Sequence, residues 1–582
     1  MLGYRYGLSQ PGLRKNFSFT VPSAQRLDAI DAWIAKGLDT DPRSYVMQQR
    51  CAMVGCEAAL RYLSQFLLTA TVLLQDIKVP LFERAVLESI GQQGHRAQAQ
   101  IWMPLPEGLS TDIVDKWIQQ AMQAVTDLVP LLDDEQARES AYQTFHAKHI
   151  QPWRARIPGG QSTIPILQSA FEQGIAFSHL GGGRYVLGWG ARSEIFDRSA
   201  NSADSAIGAT ATQNKALAIH MLKAIGIPTP RGVLMPSGEF SAEKMQTLSK
   251  PWVIKPVDRD RGEGVSLNIE TLAHAKVAFD KAATLSSGVL AEEQVAGTCH
   301  RILVVDGRVI YAVKRNPKTV VGDGLHSIAE LIDLKNAALR QMLPIKRLPE
   351  YSLDADACMH LSRIGLSPDS VPPAGARVNL RAAQSTQWGG DPEDVTEQLH
   401  PDNAALAIKA TQFFRLRCAG VDLISQDIGI PWFTNGAVIN EVNFSPVIGR
   451  THAYQRKATT AYMQALFPSK GRIPIEVYLG QDLHDSVAAR CEEGRSRGLV
   501  VRVCSDTDTS VFTSTAMTRL DPTVQVLLVH LWRDTSLLWD NLPFPWITRI
   551  MVSASEVSAI KASPLWQTMA PLVSAIQVHR HA

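Results

Sequence analysis

A chain of 582 residues is long enough for several domains of roughly 100–200 residues each. Hydrophobic residues make up 45% of it and charged residues 20%, as in a globular protein, and the formal net charge of +2 comes without a long block of like charge, which argues against a nucleic-acid partner. The start, Met1-Leu-Gly-Tyr-Arg-Tyr-Gly7, lacks the apolar core of a secretory signal, and the most apolar stretch, Leu60 to Leu74, is broken by Arg61 and Gln65 and is too short to span a bilayer. Seven scattered cysteines without a C-x-x-C suggest neither a disulfide framework nor a zinc site, so a cytoplasmic protein without a membrane partner is expected.

Residues 1–156 mix β-like pieces, Asn16 to Val21 and Ala97 to Met103, with helical patterns from Ser44 to Leu74, broken somewhere, and from Ser110 to Leu128. Ser110 stands where an N-cap belongs. No nucleophile or metal constellation occurs here, so a structural or substrate-guiding lobe is expected.

Around Ile157 to Thr163 the composition turns loop-like, and a regular α/β rhythm begins. Ile164 to Gly174 predicts a helix and Ile175 to Leu180 a strand. Gly181-Gly-Gly183 serves either close approach to a ligand or a tight turn. A helix carrying Lys215 ends at Gly226, with Pro228 and Pro230 just beyond as stop signals. A strand from Pro251 then carries Lys255 near its end and runs through Arg261-Gly262-Glu-Gly264 into a second alternating strand. Successive N–H groups of such a loop form a concavity for phosphates, and a neighbouring lysine adds a compact positive charge. Because no helix follows the glycines, the motif is neither a dinucleotide fingerprint nor a P-loop. Val289 to Glu293 predicts another strand, followed by a link and a Val-rich hairpin turning at Asp306-Gly307.

Val421 to Pro446 predicts a hairpin whose first strand carries Asp422 and whose second ends in Glu441-Val-Asn443. Alternation puts Glu441 and Asn443 on one face, where Asp422 converges on them if the strands pair. Few hard oxygen donors suit Mg²⁺ when nucleotide phosphates complete its shell. An ordinary polar surface hairpin is the alternative.

Taken in order, these pieces resemble an ATP-grasp ligase, and in wording the cyanophycin synthetase group, over roughly residues 157–455. The motifs that carry the likeness are Val304-Val-Asp-Gly307, Val321-Gly-Asp-Gly-Leu-His-Ser-Ile-Ala-Glu-Leu-Ile332, Asp369-Ser-Val-Pro-Pro373 and Thr396-Glu-Gln-Leu-His-Pro-Asp-Asn403. The resemblance implies an α/β (α+β) protein. An ATP-grasp fold at 157–468, with a helical insert at about 326–372, would be flanked by an N-terminal α/β lobe at 1–156 and a C-terminal lobe at 469–582. It implies that Lys215 and Lys255 hold the α- and β-phosphates of ATP and that Arg261, Gly262 and Gly264 close over the triphosphate. Glu292, Glu293 and Val295 would frame the adenine, and Arg381 would neutralise the transferring phosphate. Asp422, Glu441 and Asn443 would hold Mg²⁺, with Asp427 in reserve. Ser162, His300 and Arg301 are substrate candidates; His300 and Arg301 could equally be polar residues facing out of the hairpin.

The departures lie on the acceptor and ribose side. The family usually has His where this chain has Arg261, an acidic residue at Cys299, Glu at Thr210, and Asn-Leu-Ser-Thr-Gly-Gly at Ser385-Thr-Gln-Trp-Gly-Gly390. They put the substrate in question and leave the phosphate and metal positions intact.

From about Gly471 the rhythm changes: strands at Ile473 to Gly480, Leu499 to Val503, Val524 to Leu531 and Ile547 to Ser553, with Gln481 to Arg490 helical. The family carries a Mur-ligase-like domain with G-x-x-G-K-T here. This chain has Gly480-Gln-Asp-Leu-His-Asp-Ser486, without the lysine or second glycine, so a truncated, silent Mur-ligase-like lobe that packs or oligomerises is expected.

The expected activity is an ATP- and Mg²⁺-dependent carboxylate–amine ligation through an acyl phosphate, joining amino acids or dipeptides such as β-aspartyl-arginine to an acidic peptide acceptor, in a homo-oligomer (dimer or tetramer). A nucleotide-binding pseudoenzyme scaffolding a partner synthetase and a small-molecule phosphotransferase are the competing expectations.

Overall fold

The computed structural model describes residues 10–38, 55–105, 159–259, 262–340, 350–381, 392–449, 453–506, 511–532, 544–562 and 575–579, with the two-residue strands Gly3–Tyr4 and Gln48–Gln49 and a few isolated positions. Arg261, the Ser385–Gly390 segment and most of the helix expected from Ser110 lie outside the described residues. The chain forms two compact units, Met1–Arg198 with Ile448–Arg450 and Met463–Ala582, and Ser199–Val447 with Thr451–Tyr462.

In the first unit, Pro11–Thr20, Arg96–Pro104 and Val86–Gln93 form the antiparallel centre of a five-stranded sheet. Beside it, the helices Ala24–Leu38 and Glu57–Asp76 are tied by Gln65 donating to the Leu27 carbonyl at 2.8 Å. Of the helical pattern expected from Ser44 to Leu74, the described residues hold the helix Glu57–Asp76, and Gln48–Gln49 is a strand. Gly181, Gly182 and Gly183 all take positive φ (96°, 60° and 75°) in the turn between the paired strands Phe177–Gly181 and Arg184–Leu187. Of the two readings left open for these glycines, the tight turn holds.

The same unit contains a parallel sheet ordered Val501–Ser505, Val526–Leu531, Ile475–Leu479, Arg549–Ser553, Ala575–His579. Its central strands are apolar on both faces, as parallel strands covered on each side are. After the strand Ile475–Leu479, Gly480 (φ +128°) passes so close to Ser553 that a Cβ would lie 2.4 Å from its side chain.

The second unit comprises α1 (Ala206–Gln213), α2 (Lys215–Ala224), β1 (Gly232–Pro236), β2 (Trp252–Pro256), β3 (Ser266–Ile269), α3 (Leu272–Ala283), β4 (Gly288–Glu293), β5 (Thr298–Val305), β6 (Arg308–Arg315), β7 (Thr319–Val321), α4 (Ile328–Arg340), α5 (Ala355–Arg363), β8 (Arg377–Asn379), β9 (Pro392–Asp394), α6 (Pro401–Phe413), β10 (Cys418–Ser425) and β11 (Val438–Phe444). The strands β1-β4-β2-β3 form an antiparallel sheet. Onto it α3 lays Ala275, Ala278, Phe279 and Ala282, against Trp252, Ile254, Val289 and Ala291. Thr271 starts that helix by accepting from the His274 N–H at 3.2 Å.

A second antiparallel sheet runs β9-β6-β5-β10-β11. Asp306 (φ 48°) and Gly307 (φ 73°) turn β5 into β6 with the paired positive φ angles that the Asp-Gly dipeptide predicts. Period-two alternation sends Ile302, Val304, Ala312, Val421, Leu423, Ile439 and Val442 to one face, where Leu406, Ala407 and Ala410 of α6 and Ala218 and Leu222 of α2 cover them. Burying that apolar face, at roughly 25 cal/mol per Å² removed from water, anchors the register of the sheet. Its other face carries Arg301, Arg315, Asp422, Glu441 and Asn443 together with buried Leu303, Tyr311 and Val313. Between β7 and β8, α4 and α5 pack Ile328, Leu331, Ile332 and Leu361 onto a small two-stranded sheet.

Candidate active site

Lys215 is the first residue of α2, whose N-cap Asn214 accepts from the Leu217 N–H at 3.0 Å. That start, and the bond from the Lys215 N–H to the Val257 carbonyl at 2.9 Å, turn the lysine inward, where it is 9% exposed. Its ammonium donates to the Arg259 carbonyl, in the loop after β2, and sits 3.1 Å from the Glu441 carboxylate. Lys255, near the end of β2 and 5% exposed, reaches Glu292 of β4 at 2.7 Å and the Asn440 amide oxygen at 3.2 Å. Both lysines thus point at β11.

Pairing of β10 with β11 sets Asp422 opposite Glu441 and Gly420 opposite Asn443. The three oxygen donors singled out from sequence therefore share the face away from the apolar core. A β-bulge makes this possible. Leu423 pairs with Ile439 but Asp422 pairs with Glu441, so Asn440 is an extra residue in β11. Without it the alternation that buries Ile439 would have placed Asn440 opposite Asp422.

Asp422 is buried at 2% exposure among arginines. Arg301, its cross-strand neighbour on β5, grips both carboxylate oxygens, and Arg315 of β6 stands 3.4 Å away. Burial pushes the Asp422 carboxyl up, but the two guanidiniums outweigh it and hold the group below the ordinary carboxylate range. Arg301 is in turn raised, with the Asp422 charge outweighing the cost of its own burial. Asn443 donates to the Gly420 carbonyl at 3.3 Å and lies 3.5 Å from Asp422. Two carboxylates and an amide on one strand pair fit a small hard cation whose remaining ligands come from phosphates and water. Asp422 would have to share its oxygens between that cation and the arginines.

Glu293 accepts from the Ser249 N–H at 2.9 Å and pairs with Arg231 at 3.3 Å, and Val295 follows β4 in the link to β5. Glu292 leaves its Oε1 buried without a hydrogen-bond partner among the described residues. Gly262 (φ 81°) and Gly264 (φ 73°) occupy the loop between β2 and β3, and a Cβ on Gly264 would lie 2.7 Å from Leu285. Asp427 accepts from the Gly429 N–H at 2.8 Å in the connection between β10 and β11. Cys299 has its thiol pushed up to about 12 by burial and by the Asp422 charge. Thr210 is exposed and donates to the Ala206 carbonyl within α1.

Arg381, His300 and Ser162 are held by other partners. Arg381, which is buried, is held by Asp354 and by the Ser352 hydroxyl at 3.2 Å. His300 lies on the opposite face from Arg301, between Lys314 and Leu423, and is 3% exposed, so it does not face out of the hairpin. Burial lowers its pKa, and its Nδ1 has no hydrogen-bond partner among the described residues. Ser162 belongs to the first unit, where its hydroxyl accepts from the Ile448 N–H at 2.9 Å.

Arg315 and Asn440 are the residues that sequence reasoning missed. Counted from the Asp-Gly turn in a regular ladder, Arg315 falls on the face opposite Arg301; the register shift between Leu303 and Val304 brings it to the Arg301 face. Nothing in the local pattern marks Asn440 as the bulge.

No protein-family profile matches the chain. It is 32% identical over 325 residues to the cyanophycin synthetase of Trichormus variabilis, a match covering 54% of this chain and 36% of that protein. It is 30% identical over 332 residues to the cyanophycin synthetase of a Synechocystis species, covering 55% and 38%. A bifunctional glutathione biosynthesis protein of Streptococcus agalactiae is 30% identical over 326 residues, covering 53% and 43%. The chain spans little more than a third of the length of the synthetases it matches. Among solved structures, the bifunctional glutathione synthetase of Pasteurella multocida aligns with 61% of this chain and 52% of its own at 24% identity and a TM-score of 0.40. Over about half of its length, this chain is similar to cyanophycin synthetases.

Proposed function

We propose that this protein is an ATP-dependent carboxylate–amine ligase. In this reading the γ-phosphate of ATP passes to a substrate carboxylate and an amine displaces the phosphate, leaving an amide. The observation that supports it most is the convergence of Lys215 and Lys255 on the strand that carries Glu441 and Asn443 opposite Asp422. Lys215 and Lys255 would bind the phosphates as compact cations, and the loop with Gly262 and Gly264 would supply N–H groups. Asp422, Glu441 and Asn443 would hold Mg²⁺, which when bound offsets charge on the phosphoryl oxygens. Arg301 and Arg315 add fixed positive charge to the same face, where transferring phosphate or a carboxylate would sit. Positioning and electrostatics carry such a reaction, so no nucleophilic side chain is needed.

The relatives named cyanophycin synthetase support amino acids or dipeptides, such as β-aspartyl-arginine, as the joined units, with an acidic peptide as acceptor. We divide the chain for this purpose into an N-terminal lobe (1–156), a ligase part (157–468) and a Mur-ligase-like remnant (469–582) that packs or oligomerises. Incubation with ATP, Mg²⁺ and a panel of amino acids and dipeptides tests the reading by phosphate release. Release that depends on one acid and one amine, with an amide product, is expected; no release with any pair overturns it.

The capture of Arg381 by Asp354 favours a second reading, a nucleotide-binding scaffold for a partner synthetase. It would bind ATP, give no phosphate with any pair, and raise the activity of that partner.

A further inference from the structure

We propose that Asn440 is a positioning residue that holds Lys255 for a bound nucleotide. The inference rests on the nucleotide reading of the site. Lys255 is anchored at one side by Glu292 at 2.7 Å, a neighbour within its own sheet. Left to that partner alone, the ammonium would lie against β4. The Asn440 amide oxygen, 3.2 Å away on β11 of the other sheet, draws it across toward Glu441 and Asp422. An ammonium has three N–H donors. With two of them given to Glu292 and Asn440, one remains to meet a phosphate oxygen at a defined place.

The bulge is what offers Asn440 for this task. In a regular ladder residue 440 would face Asp422, Glu441 would turn to the apolar face beside Ile439 and opposite Val421, and Val442 would turn to the polar face. The extra residue keeps Ile439 buried, turns Glu441 to Asp422, and leaves the Asn440 side chain outside the cross-strand pairing. One insertion therefore sets both the carboxylate opposite Asp422 and the reach of Lys255. A neutral amide is suited to the place: it accepts from the lysine without adding a third negative charge beside Glu292 and Glu441, where a triphosphate must approach.

The test is affinity labelling of the full chain with an acyl-phosphate derivative of ATP, which acylates amines lying beside its bound phosphates, read by mass spectrometry at Lys215 and Lys255. In the unsubstituted protein both lysines are labelled, and competition with ATP removes the label. In Asn440→Ala, labelling of Lys255 relative to Lys215 falls about tenfold, the scale of a hydrogen bond to a charged group. A purely structural role for Asn440 would lower both labels together. An unchanged ratio, or an equal fall at both lysines in a folded variant, overturns the proposal. Asn440→Ser, whose shorter hydroxyl stays in the bulge without reaching Lys255, replaces the alanine variant in the same comparison should that one fail to fold. Absence of ATP-competed label from both lysines in the unsubstituted protein instead overturns the nucleotide reading, and this inference with it.

Discussion

The Lys215 ammonium lies 3.1 Å from the Glu441 carboxylate, so a proposed phosphate ligand and a proposed metal ligand neutralise each other. In the proposed function, binding would exchange this pair: a cation would take Glu441 and a phosphate Lys215. Glu441→Gln is therefore expected to bind a fluorescent ATP analogue several-fold more tightly than the unsubstituted protein in the presence of chelator, since Lys215 no longer has a competing charge. Adding Mg²⁺ should tighten binding to the unsubstituted protein and leave the variant nearly unchanged. Equilibrium titration with and without Mg²⁺ checks both.

Lys255 and Glu292 form a buried ion pair at 5% and 2% exposure. Removing one partner of such a pair leaves an uncompensated charge, so Lys255→Met should cost about 3 kcal/mol of stability. Adding Glu292→Leu should restore most of the loss by removing that charge too. Urea midpoints of the single and double variants measure the difference.

His300 contributes a pH dependence with a definite sign. Burial lowers its folded pKa below the ordinary value of 6.5, so the fold favours the neutral ring. The unfolded chain then binds the proton more readily. Stability from this group is full above about pH 6.5 and is lost as pH falls through the lower folded value. Between pH 7.5 and pH 5, at about those limits, the unsubstituted protein should lose more stability than His300→Gln. Urea unfolding across that range would show parallel slopes if His300 were not buried and neutral.

Asp354 caps α5 by accepting from the Ala357 N–H at 3.0 Å and also pairs with buried Arg381. Asparagine caps a helix as well as aspartate, so Asp354→Asn isolates the ion pair. Its cost should be on the order of 1 kcal/mol, because the aspartate side chain is half open to solvent. Asp354→Ala should lose about 1 kcal/mol more with the cap. Thermal midpoints of the two variants separate these contributions.

Much of the second unit was legible locally. Asp306-Gly307 predicted its own hairpin because only residues tolerant of positive φ make that turn. The spacing of Glu441 and Asn443 predicted a shared face because strand alternation has a period of two. The three glycines at 181–183 were ambiguous, since the same freedom serves a ligand loop and a hairpin. His300 and Arg301 were read together, although adjacency in a strand sends them to opposite faces, one into the core and one to Asp422.

By itself the sequence determined the strands, turns and charged residue types, and through its motifs the likeness to ATP-grasp ligases, because these depend on neighbours a few residues apart. Only the tertiary structure decided which charges meet. That Lys215 finds Glu441 across 226 positions, that Asp422 is shared by two arginines, and that Asn440 bulges to hold Lys255 all follow from sheet register and from the packing of one face into a core. Such pairings arise from distances in space that no local pattern encodes.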